Sequence, residues 1–168
     1  MKTKFEIIKA EASDYELIQS LAYSIWPSWY ASIISLDQIE FMLRVLYSPE
    51  ALMAQESSGQ HLYLAMENGN PIGFTGLTRH PEAKLKIDKL YLTESARGKG
   101  FGFRMIEFAE KEAKKANSNR IFLNVNRFND SFDFYKKVGF EVTEILDIPF
   151  GPFWLNDFIL EKRIGQEI

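Results

Sequence analysis

The most informative segment of this chain reads Leu90-Tyr91-Leu92, then Thr93 to Ala96, then Arg97-Gly98-Lys99-Gly100-Phe101-Gly102. An apolar run typical of a strand leads into three glycines at alternate positions, and a long amphipathic stretch follows them. Glycine adopts positive φ without penalty and lets the backbone approach a bulky anion closely. Because free N–H groups and the positive end of a helix dipole would face that anion, the segment predicts a phosphate-binding loop.

Two common nucleotide-binding patterns do not match this loop. A P-loop requires serine or threonine after its Gly-Lys pair, whereas Gly98-Lys99 is followed by Gly100. A dinucleotide-binding fingerprint requires a third glycine where this chain has Phe103. The pattern present is R-x-x-G-x-G, from Arg97 to Gly102. The alternatives are a glycine-rich turn that only connects a strand to a helix and an unrelated nucleotide-binding domain.

Composition restricts the class of protein. At 168 residues we expect a single domain spanning 1–168, and 46% hydrophobic with 26% charged residues is ordinary for a globular protein. A net charge of −3 gives no basic field for nucleic acid, so we predict no nucleic-acid partner. The absence of cysteine excludes disulfides, thiolate metal sites and a cysteine nucleophile.

Location, metal binding and assembly can also be predicted. No window approaches 18 continuous apolar residues, and the N-terminal segment has no apolar stretch long enough for a signal peptide. We therefore expect a cytoplasmic protein with no membrane partner. His61 and His80 have no second ligand at metal spacing, so we predict no metal site. Exposed edges and aromatic residues allow a homodimer, but nothing in the sequence specifies one.

Hydrophobic periodicity and capping signals predict the order β-α-α-β-β-β-α-β-α-β-β. We expect strands at 5–9, 61–67, 72–78, 84–93, 120–125, 141–149 and 153–162, with a hairpin at Asn68-Gly69. A capping box at Ser13 predicts a helix to about Ile25, where Pro27 limits it. Further helices are expected after Ser35, at Pro49, from about 100 to 116, and from Asn129-Asp130 to Val138, before Gly139.

The strand at 84–93 changes its alternation part-way. Leu85 and Ile87 share one face, whereas Leu90 and Leu92 would share the other. A β-bulge near Asp88-Lys89 would account for this change and would splay the strand from its neighbour. The alternative is a strand that is buried on both faces.

Two motifs carry a family resemblance. The R-x-x-G-x-G pattern after a strand ending Leu-Tyr-Leu resembles the acetyl-CoA signature of the GNAT N-acetyltransferase superfamily. The segment from Ser131 to Phe140, SFDFYKKVGF, resembles the family's later motif, A-x-x-F-Y-x-K-x-G-F. The match is good over 84–140. It implies a GNAT-type α/β (α+β) fold, which is a mixed, mostly antiparallel central sheet with a splayed, bulged strand and helices on both faces.

The resemblance implies that acetyl-CoA is the acetyl donor. In such folds the glycine loop holds the pyrophosphate, and the pantetheine arm pairs with the strand before it. The residues assigned to the cofactor in this way are Leu90, Tyr91, Leu92, Arg97, Gly98, Lys99, Gly100, Phe101, Gly102 and Asn129. The side chains of Arg97 and Lys99 either add charge or point to solvent. The family usually has asparagine where this chain has Phe128, and Asn129 lies one residue away.

The resemblance also implies direct acetyl transfer to an amine. Tyr135 matches the family's usual general acid, which protonates the departing thiolate; the alternative is a core tyrosine. Asp88 is the candidate general base; the alternative is a surface partner of Lys86 or Lys89. A backbone N–H near Leu90 would hold the oxyanion.

Aromatic residues suggest where the acceptor binds. Trp26, Trp29, Tyr30 and Trp154 are the predicted acceptor-binding residues, since aromatic faces attract cationic amines; ordinary core packing is the alternative. Asp37, Glu40, Asp147 or Asp157 could add negative charge. The aromatic segment at 148–154, followed by Asn156 to Lys162, resembles bacterial polyamine acetyltransferases of the spermidine type. We therefore predict a small-molecule amine, with polyamines favoured. The alternatives are protein or peptide N-termini, or a non-catalytic acyl-CoA-binding module.

Overall fold

The computed structural model describes residues 2–165 as a seven-stranded sheet with helices on both faces. The strands are β1 (Phe5–Lys9), β2 (Gln60–Glu67), β3 (Asn70–His80), β4 (Lys84–Leu92), β5 (Arg120–Asn126), β6 (Glu141–Phe150) and β7 (Phe153–Arg163). The α-helices are α1 (Tyr15–Tyr30), α2 (Leu36–Tyr47), α3 (Pro49–Ser57), α4 (Phe101–Lys115) and α5 (Ser131–Lys137). Within this described range, no helix is both long and apolar enough to span a membrane.

The sheet is mixed and mostly antiparallel, as predicted. Its order is β1-β2-β3-β4-β5-β7-β6, and only the β4–β5 pair is parallel. Alternating residues of β2 show how both faces are covered. Leu62 and Leu64 pack into the core formed with α1 to α3, whereas Tyr63 meets Phe108 of α4 on the opposite face. The predicted fold class is therefore confirmed.

The predicted β-bulge lies at Asp88. Across the β3–β4 ladder, Gly76 pairs with Lys89 and Leu77 with Ile87, which leaves Asp88 as the extra residue. The extra residue shifts the alternation by one position. As a result, Leu90 returns to the side of the sheet on which Ile87 packs against α4.

The bulged strand also splays from its neighbour. β4 and β5 pair only from Lys84↔Arg120 to Lys86↔Phe122, and they diverge beyond that point. Because the divergence begins just before the bulge, the edge of β4 that carries Leu90 to Leu92 faces a cleft rather than a strand. This cleft determines where the site lies.

The prediction that Pro27 limits the first helix is wrong. α1 continues through Pro27 to Tyr30, although proline lacks the N–H of a normal helical turn. Trp26 is buried, and its ring lies 4.7 Å from that of Tyr30 and 5.7 Å from that of Tyr91. We attribute the extension to this tertiary packing, which outweighs the local cost of the proline.

Local capping signals were mostly confirmed. The Ser35 hydroxyl accepts from the Gln38 N–H at 3.1 Å and begins α2, and the Ser48 hydroxyl does the same for α3. The Ser13 capping box is wrong, because α1 follows a short 3-10 turn in which the Glu11 N–H donates to the Asp14 carboxylate at 2.9 Å.

Candidate active site

A cavity of about 860 Å³ opens where β4 and β5 diverge. Its walls come from α1, α2, β4, the glycine loop, β5, α5 and β7. Both predicted catalytic residues line it, as do all the predicted acceptor residues except Trp154 and all the predicted cofactor residues except Lys99 and Phe101. The fold therefore brings segments that are far apart in the sequence into one site.

The glycine loop forms an open cradle at the start of α4. Gly98 and Gly100 have φ values of +77° and +84°, in the left-handed region that favours glycine. A Cβ added at either position would meet nothing within 4 Å. Since α4 begins directly afterwards at Phe101, its N-terminal N–H groups and positive dipole end adjoin this open space. The cradle fits the pyrophosphate of a CoA molecule.

The side chains of the loop have separate roles. The Arg97 guanidinium lies 3.9 Å above the Trp29 ring, and its Nε donates to the Leu92 carbonyl at 3.4 Å. In contrast, the Lys99 ammonium lies 3.7 Å from the Glu67 carboxylate, outside the cavity walls. Phe101 is buried and stacks on Phe5. Of these three residues, only Arg97 lines the cavity, and its contact with the cofactor stays a prediction.

Asn129 lies at the start of α5 and is buried in the cavity wall. Its Oδ1 accepts from the Ser131 N–H at 2.9 Å, so this oxygen caps the helix. The side-chain nitrogen therefore remains as the donor for the predicted cofactor contact.

Tyr135, the predicted general acid, lies in the wall of the cavity. It is 7% exposed on α5 and lines the cavity, and no residue within 2–165 hydrogen-bonds to its hydroxyl. Burial, with a smaller contribution from Tyr30, raises the pKa of this hydroxyl above its ordinary value. The group therefore keeps its proton throughout the neutral and mildly alkaline range. Its catalytic role stays a prediction.

Asp88 lies at the bulge and lines the cavity. Its Oδ2 accepts from the Thr78 hydroxyl at 2.6 Å. In the described part of the chain, no lysine nitrogen lies within ion-pair distance of this carboxylate, so the expected alternative of a partner at Lys86 or Lys89 is not observed. Its role as a general base stays a prediction.

Lys89 is a wall residue that the sequence reasoning missed. It is only 6% exposed, and its ammonium donates to Gln55 Oε1 at 2.6 Å and to Gln60 Oε1 at 2.5 Å. The same nitrogen lies 5.5 Å from the centre of the Tyr47 ring. Burial lowers the pKa of Lys89 to about 8, which the nearby Asp88 charge only partly opposes. The sequence feature that could have identified this residue is a lysine placed directly after the predicted bulge.

Lys89 should make stability depend on alkaline pH. Its pKa is about 8 in the fold and 10.5 without burial, so the unfolded chain binds more protons between these values. Stability then rises with pH in this window. We expect wild type to gain about 2 kcal/mol relative to Lys89→Met between about pH 8 and pH 10, in denaturant titrations. Equal pH slopes for the two proteins would contradict this expectation.

Asp157 is a second charged residue that is buried in the cavity wall. It is 8% exposed in the middle of β7, and burial raises its pKa. Asn124 Nδ2 donates weakly to Oδ2 at 3.4 Å, while Asn124 Oδ1 is buried without a partner among residues 2–165. The neighbouring Arg127 is directed to Asp147, at 2.7 Å. The sequence offered Asp157 only as one of several acidic residues.

The predicted aromatic acceptor residues divide into two groups. Trp26, Trp29 and Tyr30 line the cavity from α1, and the Tyr30 hydroxyl shares a 2.9 Å hydrogen bond with that of Tyr91. Trp154 is 57% exposed and lies outside the cavity walls. Its carbonyl instead accepts from the Gln38 amide at 3.1 Å, which ties β7 to α2. Its contact with an acceptor stays a prediction.

The model of the Acetyltransferase (GNAT) family matches residues 19–140 of this chain. The chain belongs to the GNAT acetyltransferase family. This confirms the predicted enzyme class and, with it, acetyl-CoA as the acetyl donor that the family uses. The splayed strands and the glycine loop are the parts of this GNAT enzyme at which the cofactor is predicted to bind.

Individual GNAT relatives agree in length and fold. The chain is 32% identical to spermidine N(1)-acetyltransferase from Thermoplasma acidophilum, covering 94% of this chain and 96% of the relative. A crystal structure of PaiA N-acetyltransferase from the same organism, in complex with coenzyme A, superimposes with a TM-score of 0.81 at 31% identity. It covers 95% of this chain and 99% of that one. A GNAT protein from Rhodopseudomonas palustris shares the fold, with a TM-score of 0.81 at 20% identity, covering 97% and 98%.

Proposed function

We propose that this enzyme transfers the acetyl group of acetyl-CoA to a primary amine of a small molecule, with polyamines as the favoured acceptors. The observation that carries this proposal is the single cavity that joins the glycine cradle to Tyr135 across the splayed strands. Acetyl-CoA supplies the activated acetyl thioester. Everything else in the reaction is binding, orientation and proton transfer by the chain.

The proposed roles follow the cleft from one end to the other. The loop N–H groups from Arg97 to Gly102 hold the pyrophosphate, and the open edge of β4 from Leu90 to Leu92 pairs with the pantetheine amides. The Leu90 N–H stabilises the oxyanion. Tyr135 holds a proton that it donates to the CoA sulfur as the thiolate leaves.

The acceptor amine must lose a proton before it can attack. A lysine-like amine has a pKa of about 10.4, so only about one molecule in a thousand is neutral near pH 7.4. A carboxylate on the cavity wall reduces this cost. Asp88 is the general base that the sequence predicts, and Oδ1 is the carboxylate oxygen that Thr78 leaves free.

The acceptor class is supported by two facts. A relative at 32% identity is named a spermidine N(1)-acetyltransferase. In addition, Trp26 and Tyr30 line the cavity, and their aromatic faces would favour an ammonium group by cation–π contact. The ring of Trp29, the third predicted acceptor residue on α1, is already contacted by the Arg97 guanidinium. We place Trp154 at the outer rim, where a long acceptor would reach it.

Ligand-dependent melting tests the cofactor half of this proposal. Acetyl-CoA or CoA near a hundredfold excess over Kd should add about 2.7 kcal/mol and raise the melting temperature by roughly 5–10 °C. ATP and NAD serve as controls and should give no comparable shift. Thiol release with spermidine, n-butylamine and a short peptide then tests the acceptor class. Faster release with the peptide than with both amines would contradict the small-molecule assignment.

A further inference from the structure

The cavity wall contains a buried carboxylate without a matching cation. Asp157 is 8% exposed, and among residues 2–165 its carboxylate receives only the long, weak contact from the Asn124 amide. A buried carboxylate normally has strong donors around it, because burial penalises its charged form. Here burial raises its pKa, so the environment satisfies the charge incompletely.

A second unsatisfied group lies beside it. Asn124 Oδ1 is buried and has no hydrogen-bond partner in the described part of the chain. Rotating the amide by 180° would not help, because it would turn this oxygen towards the Asp157 carboxylate. Two acceptor groups, from β5 and β7, therefore share one region of the cavity. Within residues 2–165 the Asn124 oxygen has no donor, and the Asp157 carboxylate has only the weak one from Asn124.

The nearby cations do not satisfy this pair. Arg127 directs one nitrogen to Asp147 at 2.7 Å and another to the Leu146 carbonyl at 3.1 Å. It contacts Asp157 only through the backbone carbonyl, at 3.5 Å. A compact donor of several hydrogen bonds that carries positive charge would satisfy both groups. A primary ammonium group has these properties.

Asp88 is less suited to receive an ammonium. One of its oxygens already accepts from the Thr78 hydroxyl, and the positive charge of Lys89 lies close enough to interact with its carboxylate. A second ammonium placed there would be repelled by that of Lys89. Tyr30, which lines the same cavity, adds no charge beside Asp157, because burial raises the pKa of its hydroxyl to about 12.

We propose that Asp157, with Asn124 beside it, binds the ammonium group of the acceptor and, in the place of Asp88, accepts the proton that this group must lose. This inference rests on the proposed acetyl transfer. The ammonium gives one proton to Asp157, which releases it to solvent. The amine nitrogen then forms the C–N bond as the C–S bond breaks. Tyr135 gives its proton to the CoA sulfur. The nitrogen then loses a second proton, which restores the protonated form of Tyr135.

Titration calorimetry with the full chain, with and without CoA, tests this assignment. The probes are spermidine and n-butylamine, with uncharged n-butanol as the control for shape. We expect Asp157→Asn to weaken binding of both amines at least tenfold, since it removes a charge-assisted contact. Glu144→Gln is the control, because it removes one negative charge from an exposed position on the neighbouring strand β6, outside the cavity walls, and should change binding less than twofold.

A pH series on wild type keeps the test valid if Asp157→Asn folds poorly. Amine binding should weaken in acid as Asp157 is protonated, over a range above that of an ordinary carboxyl group. The charged groups that act on Asp157 are Arg127 and Lys86, while Tyr30 stays neutral in this range and Asn124 does not titrate. In a folded Asp157→Asn protein, this acid limb should be absent.

Three results would overturn the assignment. In the first, a folded Asp157→Asn protein binds amines as tightly as wild type does. In the second, wild type binds n-butylamine and n-butanol equally well, and in the third it binds no amine at all. Loss of amine binding in Asp88→Asn but not in Asp157→Asn would likewise transfer the role to Asp88. If Asp157 binds amines but no acetyl group is transferred, the proposed function fails while the amine site stands.

Discussion

Tyr135→Phe should lower kcat by about 10²- to 10⁴-fold while the Kd for acetyl-CoA changes little, because general acid catalysis contributes about this much. The change corresponds to about 3–5 kcal/mol of transition-state stabilisation. The melting temperature should change little, since the hydroxyl has no hydrogen-bond partner among residues 2–165. Steady-state kinetics with a saturating amine, together with calorimetric binding of acetyl-CoA, would measure the two quantities separately.

Tyr63→Phe is the matched control for this substitution. Tyr63 packs against the same buried cluster as Tyr135, and burial raises the pKa of its hydroxyl as well, but it does not line the cavity. We expect it to keep wild-type kcat. A Tyr135→Phe enzyme with unchanged kcat would remove Tyr135 from the mechanism.

Gly100→Val should lower acetyl-CoA affinity by at least tenfold. Valine is strained at the observed φ of +84°, at a cost of about 1–3 kcal/mol, and the loop relieves that strain by leaving its conformation. Its side chain would also stand in the open space of the cradle. The gain in melting temperature on adding CoA should shrink accordingly, because a tenfold loss of affinity is about 1.4 kcal/mol.

Gly69→Val separates strain from binding. Gly69 has φ of +82° in the β2–β3 hairpin, and a Cβ there would also meet nothing within 4 Å, but it lies outside the cavity. We expect a comparable loss of stability with unchanged affinity for acetyl-CoA. If both variants bind acetyl-CoA as wild type does, the glycine loop does not form the cofactor site.

The conformation of the glycine loop and of the bulged strand was predictable because its signals are local. Positive φ at Gly98 and Gly100 follows from glycine itself, and the helix that begins at Phe101 follows from the amphipathic pattern. The bulge at Asp88 was visible as a change of alternation within nine residues of one strand. These signals depend only on residues that are close together in the sequence.

Errors arose where packing opposed a local preference. Proline at 27 weakens a helix, yet α1 continues because Trp26 and Tyr30 are held against the sheet. Phe101 is a different case, because it belongs to the phosphate-loop pattern and its ring stacks on Phe5, 96 residues earlier in the chain, while its predicted cofactor contact stays a prediction. Neither contact can be read from neighbouring residues.

The sequence alone determined the family, the glycine cradle, the bulge and the position of Tyr135, because short motifs and strand alternation carry these features. Only the tertiary structure decided which charged groups the cavity contains. Lys89 becomes a buried cation because Gln55 and Gln60 come from α3 and β2 to meet it. Asp157 comes to line the cavity because β7 lies beside β5. The burial of a charged side chain and its hydrogen-bond partners depend on segments that are distant in sequence. These two properties decide what chemistry the side chain can perform.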